Sequence, residues 1–509
     1  MKKYQVLFGA LVLLLALSIG LPVAKAVDLE LLAELPPSHG ITVQRIEAIQ
    51  VLDSNPNEIV FATQNQGSYC GGGTPASAWK MILDANTGEV TSVELKQSLA
   101  QIQNIRGSLF ESLDGTLFTG GGWCGNKPPY FSMDGGEIWQ PANRGVHPPN
   151  STFSFCEFNG HVYAGTGYCP FHGQVYRWLG DAGVDHWELI FDIAPPRSIV
   201  GTMSVYENQM FVGSQIYWWS PGGCENSVPV YVSADGNTFN ATTGIPPCYS
   251  VADLLVAGNR LVARAFNVFD STEVYMYCWN NDLGEWEEIG PYNLGFTWNY
   301  LVSHNGIIYA YGQAPSDTSA GIYQSVDMGQ TWNQIAVLED PDVSSMTIHG
   351  HTLYLGTRAD ANNTAYIYRM VLIKEVAIDI KPGYCPNLIN VNSKGVLPVA
   401  VLGTYDLDVT QIDPASVRLM DVAPLRSNLE DVGTPFEPFV GKEDAYDCND
   451  FGPDTFMDLS LKFDTQTVLD VIGDVNDGDV LVLELTGKLY DGNSIKGEDV
   501  VVILKKGKN

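Results

Sequence analysis

The sequence is poor in basic residues: 27 Lys and Arg stand against 58 Asp and Glu, which leaves a net charge of −31. That balance excludes nucleic acid and anionic lipid as expected partners, because a phosphate surface would be repelled. No two cysteines are spaced C-x-x-C, so thiol redox chemistry and zinc binding are poor readings of the nine Cys. Capped stripes of helical period longer than about three turns are missing. Beyond residue 26 no apolar run is long enough to cross a membrane as a helix.

What is abundant points to strands. Among 509 residues there are 51 Gly, 24 Tyr, 20 Phe and 11 Trp, a mixture of turn formers and aromatics. Apolar content of 45% suits a folded chain, and the length favours two or more domains. Residues 1–26 read as a secretory signal: Lys2 and Lys3, an apolar run over 6–21, and small residues at Ala24 and Ala26. The mature chain is expected to start near Val27, with an uncleaved membrane anchor as the alternative. Removing three Lys and no acids takes the net charge from −31 to −34. Export also makes disulfides the expected state of most cysteines, with one thiol left over.

One pattern recurs seven times: an apolar strand ending in a Gly-rich turn, then a strand carrying an aromatic. Phe61, Phe118, Tyr163, Phe211, Val262, Tyr309 and Tyr354 fall in one column, spaced by 57, 45, 48, 51, 47 and 45 residues. This period, with alternation inside each strand, predicts an all-β, seven-bladed propeller over 27–373. The first blade is expected to use 41–52, 58–63, 78–83 and 90–95. The last has 345–349, 352–356 and 365–370 but no outer strand. LLAELPP over 31–37 matches the ends of other repeats, so the strand 29–35 is expected to close the ring.

Three turns share a signature built on Ser132 and Asp134, on Ser233 and Asp235, and on Ser325 and Asp327. Each continues through Gly to an aromatic, at Trp139, Phe239 and Trp332. The Asp can bond turn amides, Gly supplies a positive φ, and the aromatic packs between blades. These turns resemble Asp-boxes, the BNR repeats of sialidases and many other propellers. The resemblance implies a fold more than a reaction, and places these turns away from the active face. Sialidases carry an Arg-Ile-Pro motif before the first blade's second strand; here Arg45-Ile46-Glu47 stands there, with Glu in place of Pro. Their Arg triad, Tyr–Glu pair and Asp acid are not otherwise identifiable, so no catalytic residue is assigned.

The opposite face should carry the connections between second and third strands, which are long and rich in Gly and aromatics. They contribute Tyr69, Trp123, Tyr168, His172, Tyr217, Trp218 and Trp219. Aromatics in such loops suit stacking on sugars or gripping a partner; the alternative is that they pack on one another. Arg106, Arg144, Arg197, Arg264 and Arg358 collect on that side, which suggests a carboxylate, sulfate or phosphate ligand, or else scattered loop cations. Cys70 with Cys124, and Cys224 with Cys248, are expected to pin these loops, with Cys156–Cys169 as a local pair and Cys278 as the buried thiol.

The repeat stops after Lys374. The segment 377–404, with ASVRLM, an Asp-rich stretch and VLVLELTGKLYDG, resembles a small β-sandwich module at the ends of many exported prokaryotic proteins. The resemblance implies an accessory β-sandwich over 374–509 with no settled activity. Asp450, Asp454 and Asp458 keep an acidic spacing of four before a strand, which suits calcium, the alternative being a solvated acidic turn. Cys385 and Cys448 are expected to pair.

The expected function is recognition: a secreted or cell-surface propeller binding an extracellular glycan or protein without turnover. The alternatives are a sialidase-type exo-glycosidase or lyase on the same face, and a calcium-stiffened structural protein.

Overall fold

Short apolar and aromatic runs, many buried on both faces, stand between turns rich in Gly, Asp and Asn, so the regular elements of the described residues are almost all strands. The computed structural model describes residues 29–38, 40–66, 75–85, 87–99, 109–120, 128–144, 151–167, 173–193, 198–216, 224–294, 301–313, 320–338, 342–404, 407–490 and 494–505. Two compact units divide at Met370 and Val371.

Among the described residues the larger unit holds seven four-stranded antiparallel sheets, each formed from strands consecutive in the chain except the last. The first contains Val43–Leu52, Asn55–Asn65, Ala76–Leu83 and Val90–Leu99. Its inner strand, Val43–Leu52, lies beside Leu109–Glu111 of the second sheet and Val343–His349 of the seventh. The inner strands between them, Thr152–Phe158, Ser198–Tyr206, Tyr249–Ala257 and Leu301–His304, follow one another in the same way, so the sheets close a ring. This is β-propeller architecture.

The seventh sheet takes its outer strand from the other end of the chain. Glu30–Leu35 pairs antiparallel with Ala365–Val371, from Glu30 opposite Arg369 to Leu35 opposite Ala365. Arg369 grips the Glu30 carboxylate with two hydrogen bonds, of 2.6 and 2.8 Å. An edge that would otherwise expose unpaired backbone is thereby covered.

The aromatic column lies in the second strand of each sheet and is buried throughout. Phe118 packs on Trp178 and Trp187 of the next sheet at 5.2 and 6.0 Å, and Phe211 on Trp279 and Trp286 at 5.1 and 6.2 Å. Burial of each such side chain contributes about 1.5 to 3 kcal/mol.

The three Ser-x-Asp turns form as their chemistry requires. Asp134 Oδ1 accepts amides of Glu137 and Ile138, while Gly136 N donates to Ser132 Oγ at 3.0 Å. Asp235 repeats this with Asn237 and Thr238, and Asp327 with Thr331. The glycine of each turn, at positive φ, presses on the preceding sheet. A Cβ at Gly136, Gly236 or Gly329 would stand 2.9 Å from Val60, 2.2 Å from the Tyr163 hydroxyl, or 2.9 Å from Met276.

The smaller unit has two sheets over one apolar core. Ile378–Ile380, Val396–Val401, Asp458–Asp464 and Arg426–Glu430 form one. Ser494–Leu504 lies centrally in the other, flanked by Val480–Leu489, with Ile412–Leu419 beyond it, and by the short parallel strands Ile373–Glu375 and Leu388–Asn390. Val399, Leu461 and Phe463 of the first sheet meet Leu419, Leu485 and Val501 of the second in the same cluster. Asp464 caps the helix Thr465–Ile472 by accepting the Thr467 amide.

Candidate functional site

The end of the larger unit that carries the long connections is tied together sheet to sheet. Ser154 Oγ donates to Val200 O at 3.2 Å, and Gly173 N to Ser198 Oγ at 3.2 Å. Ile216 N donates to Ser250 Oγ at 2.8 Å, and Ser344 Oγ to Ile46 O at 2.6 Å. Each bond joins neighbouring sheets close to where a loop departs, and each is worth about 1 kcal/mol net. Cys224 and Cys248 are disulfide-bonded with Cα atoms 4.9 Å apart. That bridge ties the connection after Gln209–Ile216 to the start of the fifth sheet, and Cys248 N also donates to Ser227 Oγ.

Tyr69, Cys70, Arg106, Trp123, Cys124, Tyr168, Cys169, His172, Arg197, Tyr217, Trp218 and Trp219 lie outside the described residues. Among the expected ligand residues that are described, the arginines divide. Arg358 is exposed and forms a backbone bridge with Arg45 between the seventh and first sheets. Arg45 Nε is 2.8 Å from Gln64 Oε1 and 2.5 Å from Glu47 Oε1. Glu47 is only 4% exposed, so its charge answers that of Arg45 in a place where water screens little. Sequence reasoning treated Glu47 merely as a replacement for proline and missed this pairing.

Arg264 requires a correction. It is 1% exposed, and both Nε and a terminal nitrogen lie 2.7 Å from Asp253 Oδ2. Its guanidinium sits 5.0 Å from the centre of the Tyr292 ring. Asp253 in turn reaches Leu301 N of the sixth sheet. Arg264 therefore joins two sheets from inside and is not presented to a ligand. Arg144 is likewise engaged, by Asp181 and by His186 Nε2 at 2.7 Å. Burial, then the Arg144 charge, hold the His186 imidazole below its ordinary value.

The cysteines also need one correction. Cys385 and Cys448 are bridged, with Cα atoms 5.7 Å apart. Cys156, expected to pair with Cys169, is instead a free buried thiol 3.4 Å from Met210 Sδ. Burial pushes it up to about 12, so it is inert. Cys278 is free and buried as well.

In the smaller unit the three carboxylates expected to share a calcium ion are used separately. Asp458 is fully buried, and its oxygens accept the amides of Gly403, Val432 and Gly433. Asp454 Oδ1 accepts the Phe456 amide of its own turn, and Asp450 is exposed. Among the described residues no group of three or more His, Cys, Asp or Glu is placed to hold a metal ion. A different polar cluster, around Lys442 and Asp499, lies buried in this unit. Its trace in the sequence is slight: Asp379 between two isoleucines, and Asp499 at the head of the apolar run VVVIL.

The sequence matches no protein family, and no curated protein matches it. Among solved structures it is similar to the β-propeller domain of Cps50 (Swd1) from Myceliophteria thermophila. The identity is 11%, the TM-score is 0.43, and the match covers 67% of this chain and 99% of that one.

Proposed function

We propose that this chain is an exported recognition protein: a seven-bladed propeller with Asp-box turns, followed by a β-sandwich accessory module. Its loop-bearing end binds an extracellular glycan or protein without turning it over. The observation that carries this reading is the rigid edge beneath the long loops. Hydroxyl-to-backbone bonds and the Cys224–Cys248 bridge hold the loop bases in place, which reduces the freedom lost on binding. The Cys224–Cys248 and Cys385–Cys448 disulfides suit an oxidising compartment.

The glycosidase alternative is weakened by Glu47. In the resemblance to sialidases, Arg45 is the arginine that would hold a substrate carboxylate. Here a buried carboxylate 2.5 Å away already neutralises it. A substrate carboxylate would have to displace or repel that partner.

One preparation tests both readings. Binding to a glycan array or to extracellular proteins is expected, with no sugar released during prolonged incubation. Release of sialic acid or another monosaccharide would overturn the recognition reading in favour of the enzyme.

A further inference from the structure

The Lys442 cluster is unusual in where it places its charges. Lys442 is 3% exposed, Asp499 1%, Asp379 7% and Asn387 0%. Lys442 Nζ lies 3.1 Å from Asp499 Oδ1 and 5.4 Å from the centre of the Phe436 ring. Asp379 lines the same small cavity as Phe436, Lys442, Asn449 and Asp499. Its Oδ1 atom is buried and accepts no hydrogen bond. A buried ion pair contributes little stability, because desolvation offsets the attraction. An extra carboxyl beside it makes a purely structural pair costlier still.

The carboxyl group of Asp499 is held asymmetrically. Oδ2 accepts Ile380 N at 2.7 Å and Asn387 Nδ2 at 3.0 Å. Oδ1 accepts Val500 N at 2.9 Å and faces the lysine. Two N–H donors on one oxygen form the arrangement that stabilises a tetrahedral oxyanion. The Lys442 nitrogen, 3.1 Å from the other oxygen, lies one bond beyond it from the carbon between them.

We propose that Lys442 and Asp499 join in an intramolecular amide, formed by the folded unit itself with Asp379 as proton carrier. The ammonium first gives one proton to Asp499 Oδ1, leaving an amine and a carboxylic acid, and burial of Asp499 holds its carboxyl above the usual carboxylate range. The Nζ lone pair then attacks Cγ and forms the C–N bond. The C=O pair moves onto Oδ2, held by Ile380 N–H and the Asn387 amide. A second proton leaves Nζ for Asp379, which gives a proton to the Oδ1 hydroxyl. The Oδ2 pair re-forms the C=O bond as the Cγ–Oδ1 bond breaks, Oδ1 departs as water, and Asp379 ends as the carboxylate it began. Ammonium plus carboxylate becomes amide plus water, with no oxidant or reductant needed. Burial, then the Asp499 charge, push Asp379 up to about 7, where it can both hold and release a proton near neutrality. The product would tie the segment carrying Lys442 to the central strand Ser494–Leu504, beside the Cys385–Cys448 bridge. This inference is independent of what the propeller binds.

Peptide mapping of the purified full chain after disulfide reduction tests it. The expected result is one joined peptide containing Lys442 and Asp499, one water lighter than the two together, with tryptic cleavage blocked at Lys442. Lys442→Arg, which keeps the charge but cannot form this amide, should give separate peptides of full mass. Asp379→Asn should slow the joining at least tenfold, and Asp379→Glu should restore part of it. Unjoined peptides from wild-type protein after prolonged incubation at neutral pH would overturn the proposal and leave a plain buried ion pair. Unimpaired joining in Asp379→Asn would overturn the role given to Asp379.

Discussion

A guanidinium stays charged even at 1% exposure and so needs a carboxylate beside it, and Arg264 has one 2.7 Å away in Asp253. Removing the carboxylate strands the cation. Asp253→Ala is therefore expected to lower stability by about 3 to 5 kcal/mol, read from the urea midpoint. The double replacement Arg264→Met with Asp253→Leu should recover much of the loss, because no charge then remains buried. A cost of only about 1 kcal/mol for Asp253→Ala, typical of exposed pairs, would show that water reaches the site. The sequence could not reveal this role. The strand Arg260–Asn267 is buried on both faces, so its pattern lacks the alternation that would have turned Arg264 inward on paper. Glu47 was hidden for a similar reason: its strand, Val43–Leu52, is buried over most of its length.

At the scale of the element, the Ser-x-Asp turns were the most legible features, because their bonds are local and depend on three or four side chains. What was not legible was their contact with the preceding sheet. Gly236, at φ +72°, faces the Tyr163 hydroxyl so closely that an added Cβ would stand 2.2 Å from it. Gly236→Ala should thus cost more than the roughly 1 to 2 kcal/mol of left-handed backbone alone. Adding Tyr163→Phe should return part of that cost, and a purely additive double mutant would disprove the contact. The same turn sets an acid response. Amides of Thr238 and Asn237 hold Asp235 down to about 2 against an ordinary 3.8. A lowered folded-state value means the stabilisation is complete above the ordinary value and is lost as pH falls from there toward about 2. Melting temperatures of Asp235→Asn should fall less steeply over that window than those of wild type.

At the scale of the larger unit, ring closure could be inferred from a deficit: the last repeat lacks an outer strand, and LLAEL at the other end has the apolar alternation to replace it. The period of the aromatic column carried the architecture because each blade repeats the same burial problem. The binding end was far less legible, since whether arginines converge depends on contacts distant in sequence, such as Arg45 beside Arg358. Closure is also where the unit should be most vulnerable. Deleting residues 27–36 removes Glu30–Leu35 and its two bonds to Arg369, leaving Ala365–Val371 as an open edge. Unpaired strand edges recruit other chains, so the truncated protein should melt earlier and self-associate in light scattering. A synthetic peptide of residues 28–37, added in excess, should restore both properties by filling the vacant position. Arg369→Ala in the full chain removes only the clamp and keeps the backbone ladder, so it should stay monomeric with a modest loss of stability. A truncated protein that remains monomeric and melts like wild type would mean that the inner ring, from Val43–Leu52 round to Val343–His349, holds the unit without its closing strand.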